Sequence, residues 1–242
     1  MFYGVAVPAV LLLGIGKSGF GSGLGSVAVP LMALVVSVPT AAAMLMPVLL
    51  FLDILGYRAY RKDFDKELLK FLIPCSLIGV FLGFLSFKTL DEKWVSGLVG
   101  FFTLLFLLQR MVWPNVKFFS HPSKSTGAFF TILSGFTSFL AHSGGPAINA
   151  YLLPLKMTPV RFAATLSVLF AVVNFAKWIP YACLGLLDTK NMMISVSLLP
   201  FAPIGVWLGV HWAKTMKPDL FYRLVHLGML LTGCKLLWDA LF

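Results

Sequence analysis

The residues best equipped for chemistry lie in one glycine-rich stretch, Gly14-Ile15-Gly16-Lys17-Ser18-Gly19-Phe20-Gly21-Ser22-Gly23-Leu24-Gly25. It offers donors and no carboxylate. Successive backbone N–H groups in a glycine-rich turn form nests that bind anions. Around Gly19, Gly21 and Gly23, Lys17 adds a full positive charge, and Ser18 and Ser22 add hydroxyls. A second stretch, Ala141-His142-Ser143-Gly144-Gly145-Pro146, repeats the theme in the other half, with His142, Ser143 and Asn149 as candidate contacts. Helices starting after Gly25 and Gly145 would aim positive dipole ends at the same guest. The chemistry implied is anion binding.

Other chemistries fit poorly. A phosphate-binding P-loop, G-x-x-x-x-G-K-[ST], would need glycine at position 11, which is Leu11. A nucleophile elbow, G-x-S-x-G, fails because Phe20 and Leu24 flank Ser22 and Ala141 precedes Ser143. Adjacent residues such as His142 and Ser143 rarely face each other, so no enzyme is expected. His211 and His226 lack ligand spacing, and neither metal nor cofactor is predicted. The competing role for the glycines is close helix packing of the small-xxx-small kind. A run carrying lysine and serine favours a site, although Lys17 could also snorkel to an interface.

Asp53 lies well inside an apolar segment, where a carboxylate is costly and functional by default. It is a candidate proton-coupling residue. The plainer alternative is an interhelical bond to a lysine or hydroxyl. Its counterpart in the second half, Asn174, cannot titrate. Lys177, one turn beyond Asn174, is expected near a membrane surface or a cavity.

The elements that position these residues follow from hydropathy. The chain has 242 residues, 59% hydrophobic and only 12% charged, with a mean hydropathy of +0.92, which excludes a soluble domain of this size. The longest polar loops, about 58–70 and 113–125, are too short to fold alone. Net charge is +10, but the lysines and arginines flank apolar segments, so they are read as setting orientation and not as a nucleic-acid surface. Cys75, Cys183 and Cys234 all fall in apolar segments and read as reduced packing residues. Met1-Phe2-Tyr3-Gly4 lacks a positive n-region, so the first segment is expected to belong to the fold.

Full spans are predicted at about 41–57, 68–87, 94–112, 161–184, 192–212 and 220–241. The apolar regions 2–36 and 127–155 are each interrupted, from Gly14 in the first and at 142–146 in the second. Each arm of the first has roughly 13 residues, short of the ~20 a full span needs. Non-helical backbone at membrane depth survives only where protein buries it or where it lines a cavity. Two such interruptions in corresponding halves point to a transporter's binding site.

The halves are a duplication. Pro74, Ile78, Gly79, Val80, Leu82, Gly83, Lys88 and Thr89 match Pro200, Ile204, Gly205, Val206, Leu208, Gly209, Lys214 and Thr215 at one offset. Pro39 matches Pro159, and Asp53 matches Asn174, at a slightly smaller one. If each broken segment returns to its own side, the halves are inverted. The 58–70 loop, Arg110–Lys124, Lys156 with Arg161, and Lys214 with Lys217 then share the cytoplasmic side, and both termini lie outside. If each broken segment crosses once, the last two pairs fall outside, against the positive-inside rule. The expected fold is an all-α polytopic membrane protein of two four-segment repeats, inverted, each starting with a broken or re-entrant helix. The repeats span 1–112 and 127–242, joined by a cytoplasmic linker at 113–126.

The glycine-rich first segment followed by Val29-Pro30-Leu31, and Ser134-Gly135-Phe136 with Ser143-Gly144-Gly145-Pro146, resemble the TauE/SafE sulfite exporter family, also called the 4-toluene sulfonate uptake permease family. The resemblance covers essentially the whole chain. It implies a multi-pass carrier of the bacterial inner membrane for sulfite, sulfonates or sulfoacetate. The resemblance implies a glycine-dense first loop with few charges, from which Lys17 departs. With no ATP motif, concentrative transport would draw on an ion gradient. A passive anion channel is the alternative. The expected partners are a small sulfur anion and the lipid bilayer, with a homo-oligomer left open.

Overall fold

The computed structural model describes residues 2–20, 28–32, 35–36, 38–87, 89, a subset of positions between 93 and 108 (all helical), 123–142, 144–185 and 189–241. Gly21, Ser22, Gly23 and Ser143 lie outside the described residues, as does most of the expected linker.

Regular structure among the described residues is helical throughout. The first half holds α1 (Phe2–Ser18), the short α2 (Ala28–Met32), α3 (Val38–Tyr60) and α4 (Lys66–Ser86). The second half holds α5 (Lys124–Ala141), α6 (Gly145–Leu152), α7 (Pro159–Cys183), α8 (Thr189–Leu198), α9 (Ala202–Thr215) and α10 (Pro218–Leu241). Helix starts follow ordinary capping chemistry. The Asp65 carboxylate accepts from Leu68 N at 3.0 Å to begin α4, and Thr158 with Pro159 begins α7. Ser123 caps α5, so that helix takes in the last residues of the expected linker. Pro200 turns the junction of α8 and α9 into a single 3-10 turn, Leu199–Phe201, because proline supplies no N–H to the ladder.

Four described segments are long and apolar enough to cross a membrane: Lys66–Ser86, Pro159–Cys183, Met192–Thr215 and Pro218–Trp238. Large apolar side chains such as Phe81, Phe175, Ile179, Met193 and Trp207 remain exposed on their outer faces, as lipid contact requires.

One expectation needs correction. The first interruption does not begin at Gly14, because α1 stays helical through Gly14, Gly16 and Lys17 to Ser18. The reason is close packing. A Cβ on Gly14 would come within 3.0 Å of the Gly205 backbone on α9, and one on Gly209 within 2.7 Å of Ile15 O. Water is not the competitor in lipid, so helix association rests on such backbone approach. That gain offsets the helix penalty of glycine, about 1 kcal/mol per residue in water.

The same contact recurs in the other half. A Cβ on Gly79 of α4 would overlap the Ile132 carbonyl of α5, and one on Gly135 would overlap the Ser76 carbonyl. Thus the first helix of each half packs on a later helix of the other, α1 on α9 and α5 on α4. The two long helices α3 and α7 pack on each other between them. Leu45, Leu49 and Leu52 of α3 share one core with Leu166, Leu169 and Val173 of α7.

A second feature is also duplicated. The Tyr60 hydroxyl at the end of α3 donates to Ser18 O, the last carbonyl of α1, at 2.6 Å. The Tyr181 hydroxyl near the end of α7 donates to Phe139 O, in the last turn of α5, at 2.8 Å. Each pair is separated by 42 residues. A helix end leaves four carbonyls without partners, and lipid supplies no water to satisfy them.

Gly79→Ala should lower thermal stability by about 1–3 kcal/mol through overpacking. Gly4→Ala, whose Cβ meets nothing within 4 Å, should stay within about 0.5 kcal/mol. Equal melting shifts in detergent would reject the packing account. Tyr60→Phe and Tyr181→Phe should each cost about 1–3 kcal/mol, since each strands a buried carbonyl. Unchanged unfolding of both would reject that role.

Candidate functional site

The second interruption is fully visible apart from Ser143. Helix α5 stops because His142 adopts the left-handed conformation, φ 50° and ψ 23°, and its N–H turns back to Thr137 O. Gly144 follows, and Pro146 falls in the first turn of α6, where its missing N–H costs nothing. The Ser134 hydroxyl donates to Gly144 O at 2.7 Å and fastens the turn to α5.

Against this turn lies Lys177, fully buried. Its ammonium donates to Ser138 O at 2.9 Å and to Ser138 Oγ at 3.0 Å, and sits 3.2 Å from His142 Nδ1. An ammonium has donors only, so Nδ1 is the acceptor and a neutral His142 carries its proton on Nε2. Nε2 lies 3.4 Å from the Tyr181 oxygen, whose own hydrogen is committed to Phe139 O. The bonds therefore run in one direction, from Lys177 to His142 to Tyr181 to the backbone.

The first half contributes an ion pair. Lys17 on α1 and Asp53 on α3 are both buried and in direct contact. Lys17 also donates to Leu49 O at 3.2 Å. Asn174 on α7 donates to the other carboxylate oxygen, Asp53 Oδ2, at 2.9 Å. Lys17, Asp53 and Asn174 thus meet as one group, and the plainer expectation for Asp53, a bond to a lysine, is what its surroundings provide.

These two groups form one electrostatic unit. Lys177 lies within electrostatic reach of both Asp53 and Lys17, as does His142 of both lysines. Lys17, Asp53 and Lys177 are the buried charged side chains among the described residues. Asp53 neutralises Lys17. Among the described residues, Lys177 has neutral hydrogen-bond acceptors. With both lysines protonated, the cluster carries one positive charge in excess. An uncompensated buried ion costs several kcal/mol even after relaxation, so a protonated Lys177 lacks the compensation that Asp53 gives Lys17.

The remaining predicted residues are dispersed among other tasks. The Ser18 hydroxyl donates to Gly14 O and lies 3.5 Å from Val206 O, inside the α1–α9 contact. Gly19 serves the same contact, since its Cβ would meet Gly209 O at 2.9 Å. Gly144, Gly145 and Asn149 are buried at the start of α6 and along it. His211 stacks on Trp207, and His226 bonds to Tyr222 O, both away from the cluster. The described residues hold no group of three His, Cys, Asp or Glu side chains placed to bind a metal.

Of the two expectations for Lys177, a membrane surface or a cavity, its complete burial excludes the surface. It faces α5, because Asn174, Lys177 and Tyr181 fall on one face of α7 at helical spacing. That spacing was a signal available in the sequence. Ser138 and Ser134, on the facing side of α5, carried none.

A family model described as sulfite exporter TauE/SafE matches residues 6–236. No curated protein and no solved structure gives a significant match. The match takes in both interruptions, the buried cluster and every described helix in whole or large part. The chain therefore belongs to the TauE/SafE sulfite exporter family, a family of membrane transporters.

Proposed function

We propose that the protein is a secondary carrier that moves small sulfur-containing anions, sulfite and sulfonates such as sulfoacetate, across the bacterial inner membrane. The observation that carries this reading is Lys177, a buried basic side chain whose hydrogen-bond partners among the described residues include no carboxylate, held at the break between α5 and α6. Lys177 leans on Ser138 and His142. An arriving oxyanion takes their place and restores charge balance. The N–H groups at the start of α6 and of the glycine-rich stretch, with Ser22 and Ser143, replace the rest of its hydration shell.

The halves are inverted repeats in this account. The exchange of partners, α1 on α9 and α5 on α4, gives each half the same external support and leaves α3 and α7 at the axis. Rocking about that axis would expose the cluster to each side in turn. Asp53 is the coupling residue. A proton on Asp53 releases Lys17, and Asn174 then holds the neutral carboxyl in place.

In proteoliposomes, Lys177→Met should lower saturable sulfite flux by about tenfold or more, the loss expected for a charge-assisted hydrogen bond. Lys70→Gln, far out on an exposed pair with Glu67, should leave flux unchanged. Wild-type rates in the Lys177 variant would reject the site. Asp53→Asn should destabilise the protein by about 3–5 kcal/mol, because Lys17 is left buried and unpaired, and Lys17→Met/Asp53→Asn should recover much of that loss. Flux of the double variant should no longer respond to an imposed pH gradient. A retained response would remove Asp53 from coupling.

A further inference from the structure

The seam between α3 and α7 carries contacts that the anion site leaves unused. Three pairings order it. Asp53 meets Asn174, a Cβ on Gly56 would meet the Ser167 hydroxyl, and Asp65, just past the end of α3, meets Arg161 and Thr165. The first number rises as the second falls, so the two helices run antiparallel. The seam therefore leads from the buried cluster to the basic 58–70 loop. Arg161 lies about 20 Å along α7 from Asn174, at a rise of about 1.5 Å per residue. Hydroxyl groups mark the way, since Ser167 and Thr165 are both buried on it.

Asp65 closes the outer end with two kinds of bond. Its Oδ1 caps α4 by accepting from Leu68 N at 3.0 Å, and its carbonyl accepts from Leu69 N at 3.0 Å. Both stay within the first half. Its Oδ2 accepts from Arg161 Nη2 at 2.8 Å, and its N–H donates to Thr165 Oγ1 at 3.0 Å. Both of these cross to the second half, whereas the Lys17–Asp53 and Lys70–Glu67 pairs each lie within the first. One residue thus anchors the start of α4 and ties it to the first turns of α7. Releasing the tie leaves the anchor intact.

The tie is cheap to release. The Arg161 side chain is 56% exposed and that of Asp65 21%. Water can take up both charges when they part, and an exposed pair contributes little net stability. The α1–α9 and α5–α4 contacts differ, being backbone against backbone at glycines. Parting those helices forfeits close packing with no water to offset the loss.

We infer that Asp65, Arg161 and Thr165 form a gate over the α3–α7 seam, closed in this structure, through which the anion passes between the buried cluster and the side of the 58–70 loop. The inference rests on the carrier reading above and adds a route to its site. Opening frees the Arg161 guanidinium, whose planar fork suits two-point pairing with an oxyanion, and uncovers the Thr165 and Ser167 hydroxyls behind it. A tie of purely structural use would stay shut during transport. A gate must open in every cycle.

The test fixes the gate shut. In full-length protein with Cys75, Cys183 and Cys234 replaced by serine, Asp65→Cys/Thr165→Cys is bridged with dibromobimane, which fluoresces once both of its ends have reacted. Sulfite flux in proteoliposomes should be saturable before bridging and abolished after it. Flux unchanged by the bridge overturns the gate and leaves the carrier reading intact. A second measurement needs neither the bridge nor the loss of Asp65. Ser167→Cys, in the same background, is alkylated in nanodiscs. Adding Arg161→Gln should raise the rate about two- to fivefold, the loss of one exposed ion pair, and adding Lys70→Gln should leave it unchanged. Equal rates in those two variants overturn the gate. Absent sulfite flux in the wild type overturns the carrier reading, and the gate with it.

Discussion

A buried carboxylate can neutralise only one lysine, and the centre of this protein holds two. Asp53 is committed to Lys17, so Lys177 must be stabilised by other means. Those means are a serine, a backbone carbonyl and a histidine forced into a left-handed turn. The break in α5 and the placement of His142 are thus tied to the charge problem. A continuous helix at that point would remove the imidazole that faces the ammonium.

Breaking helices inside a membrane creates a second problem, which the fold solves twice in the same way. Tyr60 and Tyr181 carry the last turns of α3 and α7 to the freed carbonyls of α1 and α5. Glycines on α4 and α9 let α5 and α1 approach to backbone contact. The two halves share this scaffold but differ in charge. One contributes Lys17 and Asp53. The other has Ser138, Asn174 and Lys177, two of them in hydrogen-bond contact.

Much of this was legible in the sequence. Hydropathy marked the helices, and the shared pattern around Gly79 and Gly205 marked two positions where helices meet at backbone contact. The cost of a carboxylate in an apolar segment singled out Asp53. Proline and glycine after His142 located the second break. Three things were hidden. Gly14 and Gly16 read as a loop, because the helix penalty of glycine is visible in a sequence and the backbone approach of α9 is not. Ser18 and Gly19 read as ligand contacts, because nothing local shows that α9 occupies their side. Lys177 read as lying near a membrane surface or a cavity, because its partners come from another helix, although its spacing from Asn174 and Tyr181 placed all three on one face.

The most direct test of the account is an experimental structure with methanesulfonate bound. The account places the sulfonate oxygens against Lys177 Nζ, beside His142 and the Gly144–Gly145 N–H groups, with the Lys17–Asp53 pair intact. Sulfonate density anywhere else, or a Lys177 ammonium still held by Ser138 and His142 while the anion is bound, would contradict it.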